Sequence, residues 1–203
     1  GVIGFNNRDG LGPAIGSNRI KENRVSGNAA LSYRFTPQDM VYVSFSNGYK
    51  SGGFNGEVQN NATHWSDEGL FRAETVNSFE AGYKGAPAPN LSVNAALFYQ
   101  DYKRPQARIF VNFPLPDGSS ITSNSLSNLD AAEVYGAEAG FSWRASPAFE
   151  LGGSATWLES EIEQTTDIGG NAALFNGNPL PFASDVTATG FARYEREIAN
   201  GLS

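Results

Sequence analysis

Histidine and cysteine are all but missing from this chain, and the spacing of its carboxylates argues against catalysis. His64 is the one histidine and cysteine is absent, so a two-histidine metal site, a thiolate site and a cysteine nucleophile are excluded within the chain. His64 stands in Asn61-Ala62-Thr63-His64-Trp65-Ser66-Asp67-Glu68. That stretch reads as a loop, whereas a Ser-His-Asp triad needs its members held on rigid elements. The plain reading is an exposed loop histidine; the functional one is ligand contact, with Trp65 and Phe71 as rigid aromatic surface beside it. Glu133, Glu138, Glu159, Glu161 and Glu163 could be taken as carboxylates for glycoside hydrolysis or calcium binding. Glu159, Glu161 and Glu163 instead alternate with Ser160, Ile162 and Gln164, as in a strand rising out of an apolar layer into water. The run Gly48 to Gly53 has neither the phosphate-loop spacing nor a following helix. Gly52 and Gly53 are expected to relieve backbone strain where a strand bends into its loop. The chain is expected to hold no cofactor and no metal, and not to be an enzyme.

The elements that would carry such residues are strands. Tight turn signals recur at Thr36-Pro37-Gln38-Asp39, at Gly85-Ala86-Pro87-Ala88-Pro89-Asn90 and at Ala145-Ser146-Pro147-Ala148, each joining two alternating segments. The pairs are residues 29–35 with 40–49, 76–84 with 91–102, and 131–144 with 149–160; a seventh strand covers 186–194. Long polar connections, roughly 50–75, 104–128 and 161–185, lie between the pairs. Short turns at one end of every pair and long loops at the other is the asymmetry of outer-membrane barrels, with short periplasmic turns and long extracellular loops. A soluble sandwich mixes loop lengths at both ends.

Alternation within the strands agrees. Leu91, Val93, Ala95, Leu97 and Tyr99 share one face and Ser92, Asn94 and Gln100 the other, with Phe98 as an exception. Phe79, Ala81 and Tyr83 alternate with Glu80, Gly82 and Lys84, so the charged face should line a lumen rather than meet lipid. Tyr33, Phe35, Phe141, Trp143, Phe149 and Tyr194 cluster at strand ends, as interfacial girdles do. The 23 glycines and 10 prolines favour turns and strands, and no apolar run approaches the roughly 18 residues of a spanning helix. A formal net charge of −7 with scattered Lys and Arg makes nucleic acid an improbable partner.

These residues carry a family resemblance. Val41-Tyr42-Val43-Ser44 followed by Gly48-Tyr49-Lys50-Ser51-Gly52-Gly53-Phe54-Asn55 resembles a barrel strand and turn of TonB-dependent outer-membrane receptors. Glu74-Thr75-Val76 leading to Phe79-Glu80-Ala81-Gly82-Tyr83-Lys84, then Ala96-Leu97-Phe98-Tyr99 with Asp101, Tyr102 and Gln106, then Val134-Tyr135-Gly136-Ala137-Glu138, resemble the strands that follow, in order. Residues 1–26 look like the variable extracellular loop before them. Lys103-Arg104-Pro105 departs from the pattern, and its proline suggests a bulge or an early exit from the sheet.

The resemblance implies an all-β fold, an antiparallel up-and-down transmembrane β-barrel, with residues 1–203 an incomplete segment of about seven strands from which the plug domain and the barrel C-terminus are missing. It implies a Gram-negative outer-membrane receptor that imports a scarce nutrient, an iron–siderophore complex first among the ligands. Outer-membrane lipid surrounds such a barrel, and the TonB complex acts through the absent plug segment. Ligand contacts are expected on the long loops and lumen face, at His64, Trp65, Phe71, Arg72, Phe110 and Asn112. A passive porin is the alternative, and an outer-membrane enzyme a third.

Overall fold

Alternation along the chain is realised as one antiparallel meander. The computed structural model describes residues 20–55, 70–114, 118–164, 175–181 and 183–196. Its strands are β1 (Gly27–Arg34), β2 (Met40–Lys50), β3 (Gly53–Phe54), β4 (Leu70–Phe71), β5 (Glu74–Ala88), β6 (Leu91–Lys103), β7 (Gln106–Pro114), β8 (Ser120–Asn128), β9 (Ala131–Ser146), β10 (Phe149–Glu163) and β11 (Val186–Tyr194). Seven of them form one sheet in the order β1-β2-β5-β6-β9-β10-β11, while β3 pairs with β4 and β7 with β8. This is a wall of an up-and-down barrel. Among the described residues, β1 and β11 are its two open edges.

Register shows why the wall belongs in a membrane. Leu31, Val43, Ala81, Leu97, Ala137, Trp157 and Val186 lie directly opposite one another, strand to strand, as one apolar row across the sheet. The neighbouring row, Ser32, Tyr42, Gly82, Ala96, Glu138, Thr156 and Thr187, points to the other face. The apolar row is the exposed one, with Leu97 65% accessible. A sheet that shows its apolar face and folds its polar face inward is arranged for lipid outside and a polar lumen within.

Aromatic rings border the outer face at both ends. Towards the long connections, Phe45 sits 5.0 Å from Phe79, Phe79 6.5 Å from Tyr99, and Tyr135 6.1 Å from Trp157. The Tyr99 hydroxyl donates to Glu133 at 2.8 Å and the Tyr135 hydroxyl to Glu159, so the ring bodies face lipid while their polar tips reach the carboxylates beyond. At the short-turn end Phe35 stacks on Tyr83 at 6.3 Å. The lower border slides against the hydrogen-bond register: Tyr83 is opposite Ala95 and so Ala139, yet the rings at this end of β9 are Phe141 and Trp143, two and four residues on. That stagger is what tilted barrel strands produce.

The short turns are tight. In the first, the Thr36 Oγ1 accepts from the backbone N–H of Asp39 at 2.9 Å and of Gln38 at 3.2 Å. Tyr83 donates to Asp39 at 2.6 Å. The Thr36 hydroxyl and then Tyr83 hold the Asp39 carboxyl below its ordinary 3.8.

Two expectations need correction. The second turn is only Pro89-Asn90, because β5 runs on to Ala88 through a register shift between Gly85 and Ala88; a proline is tolerated where a bulge removes the need for its N–H. The connection expected over 104–128 contains the β7–β8 hairpin instead of an irregular loop. Its register is continuous with the barrel: Lys103 faces Ala131 and Gln106 faces Asn128, three residues along each strand. The first connection begins the same way, from Lys50 opposite Glu74 to Gly53 opposite Phe71. Both barrel hairpins therefore continue as β-ribbons beyond the membrane layer. The exit anticipated at Pro105 is there, with Arg104 at a left-handed φ of 55° between β6 and β7.

Candidate functional site

Polar side chains lock the two ribbons together at the long-loop end. Asn55, 7% exposed, donates through Nδ2 to the Leu126 carbonyl at 2.8 Å and accepts from the Leu126 N–H at 3.0 Å, closing a two-bond clamp between the first connection and β8. Asn128 accepts from the Arg72 N–H at 2.6 Å and donates to the carbonyls of Arg72 and Arg104, both at 2.9 Å. Gln106 donates through its side chain to the carbonyls of Ser51 and Arg72 at 2.9 and 3.0 Å, and its N–H to Glu74 at 2.7 Å. Amide side chains suit this task because each offers donor and acceptor at once to a backbone that has left the sheet.

An apolar knot supports the ribbons from below. Leu129, Ala132 and Ile162 are buried and packed by Tyr102, Ala107, Phe175 and Leu180, and Ile109 joins through Ala107 and Phe175. The segment 175–181 is tied along the end of β10: Gly177 N–H donates to the Ile162 carbonyl at 2.8 Å and Ile162 N–H to Asn178 at 2.9 Å. The described parts of all three long connections thus converge over one end of the wall, as a built cap. Within it, a cavity of about 410 Å³ opens between residues 20–24, residues 70–73 and Arg104.

The expected ligand-contact residues fall differently. His64 and Trp65 lie outside the described residues. Phe71 lies on β4 with its ring over Gly53, and Arg72 follows with an exposed side chain at the cavity wall. Phe110 stands on β7, 68% exposed, and Asn112 on the same strand faces Thr122. Phe71 and Arg72 are thus brought to the cavity, while Phe110 and Asn112 belong to the projecting ribbon.

The family-motif residues divide between wall and ribbon. Tyr49 and Lys50 end β2, with Lys50 opposite Glu74, and Phe54 pairs with Leu70. Gly48 meets only ordinary contact with Val76 at 3.4 Å. Gly52 and Gly53 do not adopt left-handed φ, which corrects the expectation of strain relief. They are needed for space: a Cβ on Gly52 would lie 2.6 Å from the Phe71 carbonyl oxygen, and one on Gly53 2.4 Å from the Phe71 ring. On the lumen face the Tyr42 ring covers Gly82, its hydroxyl donates to Glu80 at 2.6 Å, and Lys84 Nζ lies 5.0 Å from the ring centre. Phe98, the exception to alternation, covers Gly136, and Glu138 follows two residues on along the same face. Asn128, Lys21 and Arg24 were not anticipated at all. The only hint was Pro105, which marks where the ribbon turns towards them.

Comparison with known proteins fits this geometry. The model of the TonB-dependent receptor-like β-barrel family matches residues 3–203. The pesticin receptor of Yersinia enterocolitica is 25% identical over 164 residues, which are 81% of this chain and 21% of that receptor. Among solved structures, the ferric yersiniabactin uptake receptor FyuA of Yersinia pestis superimposes with a TM-score of 0.63 at 25% identity, over 83% of this chain and 22% of that one. The siderophore receptor PiuA of Acinetobacter baumannii gives 0.59 at 19% identity, over 83% and 23%, a likeness of fold. The chain therefore spans about a fifth of the length of the curated relatives it matches. It belongs to the TonB-dependent receptor β-barrel family, whose members reside in the Gram-negative outer membrane.

Proposed function

We propose that this chain is barrel wall and extracellular cap of an energy-coupled receptor importing a scarce nutrient, with an iron–siderophore complex as cargo. The observation that carries the reading is the cap: two register-continuous ribbons, cross-locked by Asn55, Gln106 and Asn128, stand beside an open cavity lined by residues 20–24, residues 70–73 and Arg104. Arg72 at the cavity wall and Phe110 on the projecting ribbon offer exposed side chains for ligand contact, with His64, Trp65, Phe71 and Asn112 as further contacts. The names of the similar proteins, a ferric yersiniabactin uptake receptor and a siderophore receptor, support the cargo. In this reading the plug and the segment that engages the TonB complex lie outside residues 1–203.

The test is growth of a deletion strain on defined iron sources under iron limitation, with radiolabelled ferric siderophore uptake as readout. Uptake should disappear on deletion of the receptor and equally on removal of the TonB complex. Unchanged siderophore uptake, together with lowered permeability to small solutes, would instead identify a passive porin.

A further inference from the structure

The cap cavity has a charge the rest of the chain does not share. The protein is acidic, at a formal −7, yet Lys21, Arg24, Arg72 and Arg104 line this space against one carboxylate, Glu22. Glu22 is itself engaged, accepting from the Gly52 N–H at 3.3 Å. Among the described residues none of the four cations is ion-paired to a carboxylate. Among the described residues these four cations meet a single carboxylate, an imbalance that opposes folding by self-repulsion, and their convergence suits a partner that brings negative charge.

Arg104 adds a second, independent observation. It is the one described non-glycine residue at positive φ, 55°, a conformation that an L-residue adopts only at a cost. Three contacts impose it: Arg104 N–H donates to the Asp130 carbonyl at 3.1 Å, Asn128 donates to the Arg104 carbonyl at 2.9 Å, and Arg104 Nε donates to the Ala73 carbonyl at 3.2 Å. With Nε committed, neither terminal nitrogen has a partner among the described residues, and together they form a planar fork at the cavity wall suited to oxyanions.

We propose that this cavity binds the oxyanion groups of a negatively charged metal chelate, with Arg72 and Arg104 as its principal ligating cations. The proposal rests on the receptor reading above and names the ligand's charge class. A volume of about 410 Å³ suits one chelate or one arm of a larger one, within the roughly 300–1,000 Å³ of small-molecule sites.

The experiment uses the intact receptor in detergent, titrated by tryptophan fluorescence with three probes: a trianionic ferric tris-catecholate, a neutral ferric tris-hydroxamate, and pyranine, an iron-free trisulfonate dye. Arg104→Gly removes the guanidinium while accepting the positive φ, and Arg72→Gln removes the other charge. Affinity for the tris-catecholate should fall about tenfold with each change and about a hundredfold with both. Pyranine should follow, and tris-hydroxamate binding should stay within about twofold. Anion affinity unchanged in the double variant overturns the proposal, as does an equal loss for the neutral chelate or wild-type binding of the neutral chelate alone. If neither ferric chelate binds wild type, the siderophore reading falls and pyranine decides separately: binding lost in the double variant upholds the anion site, and no binding to wild type overturns it.

Discussion

Two glycines under aromatic rings on the lumen face make opposite demands on a rescue mutation. A Cβ on Gly82 would lie 2.6 Å from Tyr42 Cζ and 2.6 Å from its hydroxyl, and its three nearest neighbours are all Tyr42 side-chain atoms. To admit Gly82→Ala the Tyr42 ring must swing away, losing the 2.6 Å bond to Glu80 and the Lys84 contact. A hydrogen bond to a charged group contributes about 1.5–3 kcal/mol, and an alanine in a strand regains about 0.5–1, so the net loss is about 1–2 kcal/mol. Gly136 differs because its nearest neighbour is backbone. A Cβ there would sit 2.2 Å from the Trp157 carbonyl oxygen, 0.8 Å inside the 3.0 Å that real Cβ atoms keep, and 2.7 Å from the Phe98 ring. Only separating β9 from β10 relieves that overlap, which places Gly136→Ala at or above about 3 kcal/mol. The assay is thermal unfolding of the intact receptor, followed by heat-modifiable gel migration and circular dichroism, with Gly27→Ala as control since nothing lies within 4 Å of its Cβ. In a Tyr42→Ala background, Gly82→Ala should no longer destabilise, and should raise stability by up to about 1 kcal/mol. In a Phe98→Ala background, Gly136→Ala should remain destabilising. Failure of the first rescue, or success of the second, refutes the assignment of one clash to a side chain and the other to the main chain.

Other outcomes follow from the same structure. Leu97→Lys puts a charge in the middle of the apolar row and should lower unfolding stability by about 2–4 kcal/mol. Asp101→Lys, four residues up the same strand and beside Lys103 at 3.0 Å, should change it by less than about 1 kcal/mol; equal effects would contradict the placement of the lipid band. Asn55→Ala removes both bonds to Leu126, so protease nicking of the external ribbons should quicken by at least tenfold, for about 2 kcal/mol of local opening. An unchanged nicking rate would show that the clamp does not hold the ribbons. Thr36→Ala should let the Asp39 carboxyl rise towards 3.8. A depressed carboxyl stabilises the fold above its unfolded value and loses that contribution as pH falls through its folded one. Wild type should therefore lose more stability than Thr36→Ala on acidification below pH 3.8, and parallel pH profiles would contradict this.

Where lipid imposes a pattern, the fold was legible. A strand with bilayer on one side and lumen on the other must alternate, so β6 announces itself through Leu91, Val93, Ala95, Leu97 and Tyr99, and the short turns announce themselves through Pro and Asn. Outside the membrane layer nothing imposes alternation. β8, SITSNSLSN, is nearly all polar and pairs with β7 because the barrel hairpin keeps its register, a cause invisible in the nine residues themselves. The space that glycines provide is hidden for a different reason, and Gly53 carries an expectation of strain relief instead. Gly53, Gly82 and Gly136 serve ring atoms or backbone from a neighbouring strand, and a local motif does not show which residue lies across the sheet. Phe98 looked like a defect of alternation until its partner across the ladder was seen to be Gly136. The cavity cations were the least legible, because residues 20–24, 72 and 104 are far apart in sequence and meet only through the kinked ribbon.

That kink joins architecture to chemistry. Pro105 contributes its carbonyl to the ladder, accepting from Leu129 N–H at 2.9 Å, but has no N–H to return. The residue before a proline is steered away from the right-handed helical region. An extended Arg104 would let the ribbon run straight on from the barrel; the left-handed conformation at 55° bends it without a register slip, as Gln106 opposite Asn128 records. The bend brings Asn128 to Arg72 and Leu126 to Asn55, and by the same movement turns the Arg104 side chain along Ala73 into the cavity wall. One residue thus both shapes the cap and charges it. Arg104→Gln alters backbone preference and charge together, so a binding loss in it has two explanations. Arg104→Gly keeps the bend and removes the charge, and is the substitution that separates a ligand's contact with the guanidinium from the geometry that delivers it.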